Sequence, residues 1–99
     1  MGFFNGMKSV NRINNLLKDL ENQVTISQDY VQRGASKATL ENCLNVLLRI
    51  HQDLIDTFSG SSTARVSMFT LFGDKIRMDG ILQYSKNLIY NLKAIISQK

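Results

Sequence analysis

Three long stretches of this chain repeat apolar residues at steps of three and four, and no proline interrupts them. Val10, Ile13, Leu17, Leu20, Val24 and Val31 form the first series, with Ser27 standing in the one missing place. That spacing puts them on one stripe of a helix from about residue 8 to 32. Gly34 sits where a left-handed C-terminal cap is wanted, and Ser36 offers an N-cap for a second helix. The second series is Leu40, Cys43, Leu44, Leu47, Leu48, Ile50, Leu54, Ile55 and Phe58. It covers nearly half of a helix circumference, and a stripe that wide needs more than one neighbour to bury it.

Ser59 to Ser62 make the strongest break in the chain. Beyond it, Val66, Met68, Phe69, Leu71 and Phe72 point all round a helical wheel. This stretch reads as a short, heavily buried third helix ended by Gly73; the alternative is a hairpin with Gly73-Asp74 as its two-residue turn. Asp79 is a suitable N-cap for the final helix, which its charge also favours. There Ile81, Leu88, Leu92 and Ile95 form the centre of the stripe, widened by Leu82, Tyr84, Ile89 and Ile96. Residues 1–99 are therefore expected to form one domain, an all-α, small antiparallel bundle of three or four helices.

The chain is long enough to bury roughly two-thirds of its unfolded surface. Its 43% apolar and 20% charged residues are ordinary for a soluble globular protein, and no run is apolar enough to span a membrane. Met1 to Gly6 lack the basic leader and apolar run of a signal peptide, and Gly6 stands where a myristoylation site needs Ser or Thr. The lone Cys43 cannot form an internal disulfide. Together these imply the cytoplasm as the location.

The net charge of +4 is unevenly placed. Residues 1 to 62 balance, whereas residues 63 to 99 carry Arg65, Lys75, Arg77, Lys86, Lys93 and Lys99 against Asp74 and Asp79. The last twenty residues hold no acid at all. A basic amphipathic helix at the end of a small bundle suggests a partner surface, either for an acidic partner or for an anionic membrane face. A plain solvated face gives the same pattern. Lys86 and Lys93 lie seven residues apart on one flank and Tyr90 points roughly opposite the stripe, so these three are the candidate partner-binding residues.

Catalytic groups are scarce. His51 falls in the apolar face of the second helix, with no second histidine and with Cys43 two turns away, so no metal set converges there. It reads as a core histidine whose nitrogens need a partner, because burial without one costs a few kcal/mol. Cys43 reads as a small buried hydrophobe, not a nucleophile. Asp53 and Asp56 form a polar-face pair with nothing apolar to separate their pKa values. Gly73 and Gly80 lack the spacing of a phosphate loop. No catalytic residue, metal site or cofactor is expected. Phe3 and Phe4 are candidates for closing the core. The scattered Arg77, Lys86 and Lys93 argue against nucleic-acid binding, which wants a dense basic cluster with base-reading side chains.

One family pattern is visible. Lys75-Ile76-Arg77-Met78-Asp79, followed by Leu88-Ile89-Tyr90-Asn91-Leu92 and Ile95, resembles the last-helix region of class IIa bacteriocin immunity proteins. Leu16-Leu17-Lys18-Asp19-Leu20 resembles that family's first-helix pattern, although residues 75–96 carry most of the likeness. The family consists of small, basic, cytoplasmic four-helix bundles from Gram-positive bacteria. The resemblance implies a non-enzymatic role, protecting a bacteriocin producer by engaging a membrane-embedded sugar-transport receptor at the inner membrane face. It assigns no individual residue. Two other readings fit the residues alone: a self-assembling or secretion-chaperone-type helical module, and a weak basic nucleic-acid-binding protein.

Overall fold

A computed structural model describes the backbone of residues 2–99 and the side chains of residues 6–99. Its elements are α1 (Gly2–Gln32), α2 (Lys37–Ser59), α3 (Ser62–Val66), β1 (Phe69–Leu71), β2 (Asp74–Ile76) and α4 (Met78–Ser97). The architecture is that of a small all-α bundle with one short hairpin. Phe3 and Phe4 lie outside the residues whose side chains are described.

α1 follows from its stripe: Ile13, Leu17, Leu20 and Val24 are buried, and the helix extends six residues further towards the N-terminus than the periodicity alone indicates. It stops where Gly34 adopts a positive φ of 69°. There the Gly34 N–H donates to Val31 O and the Ala35 N–H to Tyr30 O, which satisfies carbonyls the helix end would otherwise orphan. Ser36 then caps α2, its hydroxyl accepting from the Thr39 N–H at 3.3 Å. Both caps match the sequence expectation.

α2 is the shared wall. It packs against α1 on one side and α4 on the other, while α1 and α4 hardly meet directly. Leu40, Leu54 and Phe58 are essentially without solvent contact. The wide apolar stripe is thus divided between two partners, as its breadth required. α2 ends at the Ser-rich break, and Arg65 secures that corner from α3 by donating through Nη1 to the carbonyls of Phe58 (2.8 Å) and Ser59 (2.9 Å).

The structure corrects the expectation for Thr63 to Gly73. The helix there lasts only five residues, and the chain then forms the hairpin β1–β2. Its antiparallel register pairs Phe69 with Ile76, Thr70 with Lys75 and Leu71 with Asp74, so the turn is Phe72-Gly73, one residue earlier than the alternative placed it. Nor is the segment uniformly buried. Phe69 and Leu71 alternate inward, whereas Val66, Met68 and Phe72 are exposed. Three-residue strands are too short to be stable alone. Tertiary contacts hold them: Phe69 meets Phe58 edge-on at 5.9 Å, and the Phe72 N–H donates to Glu21 Oε2 at 2.6 Å.

The start of α4 also differs from expectation. Arg77 occupies the N-cap position without a side-chain hydrogen bond. Asp79 lies within the first turn, where its Oδ1 accepts from the Gly80 N–H and its charge still favours the helix terminus. The hairpin delivers the chain directly into a helical turn, so the helix begins before the better capping residue.

Phe72 and Gly73 have φ values of 51° and 82°. Gly73→Ala is expected to lower unfolding stability by about 1–2 kcal/mol, because an L side chain resists that conformation. Gly73→Asn should cost clearly less, since Asn tolerates it. Urea unfolding of the two variants makes the comparison.

Candidate functional site

Because α1 and α4 share α2 without packing on each other, a furrow runs between them. The hairpin occupies one part of it. Its tip bridges the two helices, with the Phe72 backbone bonded to Glu21 of α1 and the Phe72 ring 6.3 Å from Tyr84 of α4. Beyond Glu21 and Tyr84 the furrow is unfilled. It forms a cleft of about 400 Å³ lined by Val24, Ser27, Gln28, Val31 and Gln32 of α1, Leu47 of α2, and Leu88, Asn91, Leu92 and Ile95 of α4.

The chemistry of this cleft is simple. Six aliphatic side chains make its floor and walls, and its polar groups are one hydroxyl and three amides. None of these lining side chains is ionisable. Ser27 is buried, and its hydroxyl accepts from Gln23 Nε2 at 3.4 Å. Such a surface can exclude water around an apolar guest, with the amides orienting it. None of its lining groups is an acid or a base, and the Ser27 hydroxyl is bonded to an amide.

Sequence reasoning pointed instead at Lys86, Tyr90 and Lys93. All three are exposed, Tyr90 strongly so at 74%. None of them lines the cleft, which is built from other positions of the same helix. α4 therefore presents an aliphatic side to the cleft and a basic, aromatic surface elsewhere. The cleft itself was missed, although Ser27 interrupting the α1 stripe was a visible sign of it.

A second concavity of about 390 Å³ lies on the α1–α2 seam and contains Arg12, Asp19, Arg49 and Asp53. Both signs of charge are present, and Arg12 pairs with Asp53 at 3.3 Å. That mixture makes no single-sign field for an anion or cation. Asp53 thus bridges α1 and α2, while Asp56 accepts from Gln52 at 2.9 Å. No group of three or more potential metal ligands converges among the described residues.

His51 is half-buried and its Nδ1 lies in hydrogen-bond contact with the Ser85 hydroxyl. Ser85, 1% exposed, also lies 3.2 Å from the Leu82 carbonyl; with its hydroxyl donating there, the tautomer carrying the proton on His51 Nδ1 completes the pair. The expected partner of the histidine is therefore a serine of α4. This is a helix-to-helix tie and not a catalytic pair, because the buried Ser85 cannot be reached by substrate. Cys43 is buried, as its place in the stripe indicated.

No family model, curated protein or solved structure matches this chain. Among the described residues, no helix is long and apolar enough to cross a membrane.

Burial, and then the charge of Lys86, hold the His51 pKa below its ordinary value of 6.5. As pH falls, the unfolded chain takes up this proton before the folded one does. The contribution is complete above about pH 6.5 and is lost as pH drops through the lower folded value. Urea unfolding midpoints should accordingly fall between about pH 7.5 and pH 5. In His51→Gln, which keeps a donor for Ser85, that part of the fall should disappear.

Proposed function

We propose that this protein is non-enzymatic and works by protein–protein contact, with the α1–α4 cleft receiving an apolar part of its partner. One observation carries the reading: the half-buried Val31, Leu88 and Ile95 of α1 and α4 stay partly open to solvent over a buried floor of Val24, Leu47 and Leu92, bordered by uncharged polar groups. Contact there releases water from apolar surface, the main favourable term in association. The exposed Lys86, Tyr90 and Lys93 add a basic, aromatic surface on the same helix. Positive charge of this kind speeds encounter with an acidic partner or an anionic membrane face.

In its most specific form, the role is that of a bacteriocin-immunity-like protein protecting its producer at the inner membrane face, through a membrane-embedded receptor complex. The likeness of residues 75–96 to class IIa immunity proteins supports this form, and those residues make up the end of the hairpin and nearly all of α4. A protein partner also accords with how several cations are used. Arg65 is engaged by the α2 terminus, and Arg12 and Arg33 by Asp53 and Asp29, which thins the basic surface a nucleic acid would need.

Expression in a panel of strains sensitive to class IIa bacteriocins tests the specific form. Survival against at least one toxin is expected, and unchanged killing by every toxin overturns it. Where protection is seen, Leu88→Glu should reduce it about tenfold or more by placing a charge in the cleft. Lys86→Glu with Lys93→Glu should weaken it less. Circular dichroism confirms that each variant is folded. Full protection by folded Leu88→Glu would remove the cleft from the contact.

A further inference from the structure

We propose that the outward face of the α3–hairpin corner docks on an anionic lipid bilayer. Val66, Met68 and Phe72 enter the headgroup region there, while Lys75 and Arg77 meet the lipid phosphates. This contact uses neither the α1–α4 cleft nor the toxin-protection reading and stands apart from both.

Exposed apolar side chains come first. Val66, Met68 and Phe72 fall within one short run and are 74%, 49% and 48% exposed. In the same run Phe69 and Leu71 are buried. Large apolar groups left clustered in water, beside positions that do reach the core, mark a contact surface. None of the three lines either of the concavities described above. They project from a corner, which suits a medium that moulds itself around them.

The hairpin register then sorts charge by face. Residues paired across an antiparallel ladder stand on the same side of it. Leu71 pairs with Asp74, so Asp74 belongs to the side that carries the inward Leu71 and Phe69. Thr70 pairs with Lys75 on the opposite, outward side. Met68 and Arg77, both exposed, flank the open end of the ladder. Arg65 adds a third positive charge next to Val66, since its bonds to the Phe58 and Ser59 carbonyls leave the guanidinium charge uncancelled.

The nearby acids are engaged elsewhere. Glu21 accepts from the Phe72 N–H, and Asp79 accepts from the Gly80 N–H within the first turn of α4. Lys75 and Arg77 belong to neither of the two ion pairs found among the described residues. Their charges are thus open to an anionic surface, where each such cation strengthens binding about fivefold.

The combination of groups selects lipid over other anionic partners. A nucleic acid offers phosphates but no apolar phase for Val66 and Met68. An acidic protein would have to bring carboxylates together with a socket shaped for the corner. A bilayer supplies phosphates at the level of Lys and Arg head groups and hydrocarbon just beneath them. The corner is also held in advance, by Phe69 on Phe58 and by the Phe72 N–H on Glu21, so docking need not order a loose loop.

The chain contains no tryptophan, so Met68→Trp gives the full-length protein a single fluorescent reporter on the corner. Tyr90→Trp gives the matching reporter on the basic surface of α4. With mixed phosphatidylcholine–phosphatidylglycerol vesicles, Met68→Trp emission should shift to the blue and be quenched by acyl-brominated lipid. Tyr90→Trp should stay unshifted. Raising the salt concentration should release the protein. In vesicle sedimentation, Lys75→Glu with Arg77→Glu should weaken binding about 25-fold, and Val66→Ser with Met68→Ser about tenfold. Circular dichroism confirms that each variant is folded. No sedimentation with the anionic vesicles overturns the proposal, as does equal binding to pure phosphatidylcholine. Quenching of Tyr90→Trp without Met68→Trp overturns it by moving the contact to α4. A Met68→Trp shift with soluble polyglutamate but not with vesicles assigns the corner to an acidic protein and also overturns it. So does a dimer, seen by light scattering without lipid, that Val66→Ser with Met68→Ser dissolves, because the corner then serves a second copy of the chain.

Discussion

Everything in this fold depends on α2 being buried from two directions at once. Ile50 and Asp53 work towards α1, where Leu16 and Arg12 share their seam. His51 works towards α4, where it meets Ser85. Leu40, Leu54 and Phe58 have almost no exposure, and each fully buried side chain of this kind contributes about 1.5–3 kcal/mol. One helix with two apolar faces can bring together two others that barely touch. The arrangement saves core but leaves a furrow, and the furrow is the origin of every other distinctive feature.

The protein fills that furrow unevenly. A full fourth helix would close it, but the chain between α2 and α4 supplies only α3 and a hairpin. Phe69 packs on Phe58, and the turn is pinned to Glu21 through the Phe72 N–H. The remaining length stays open as the aliphatic cleft. A filled seam at one end and an open cleft at the other thus come from the same spacing of α1 and α4.

How much of this was readable beforehand differs by element. The three long helices were legible because their stripes persist over many turns, and the Gly34 and Ser36 caps because each residue solves a definite hydrogen-bonding need. The hairpin was not. Phe72-Gly73 lacks the Asn-Gly signature of its turn, and Val66 and Met68 are large apolar residues left exposed, which masks the alternation of Phe69 and Leu71. Strands this short owe their existence to distant partners such as Glu21, which local pattern cannot show. Asp79 misled for a related reason, since the geometry of the chain leaving β2 determines where α4 begins. The cleft is a property of the distance between two helices. Only the serine at position 27 hinted that part of the α1 stripe was not fully enclosed.

The His51–Ser85 tie has a mechanical consequence for that cleft. Aliphatic seams between helices tolerate axial slippage, because one leucine replaces another after a shift of about 5.4 Å, a single turn. A hydroxyl inside such a seam does not. Moving α4 by one step along α2 would detach the half-buried imidazole and leave the buried Ser85 hydroxyl with only the Leu82 carbonyl of its own helix. The pair therefore acts as a detent that holds Leu88, Leu92 and Ile95 level with Val24 and Val31, so that the two walls of the opening keep step.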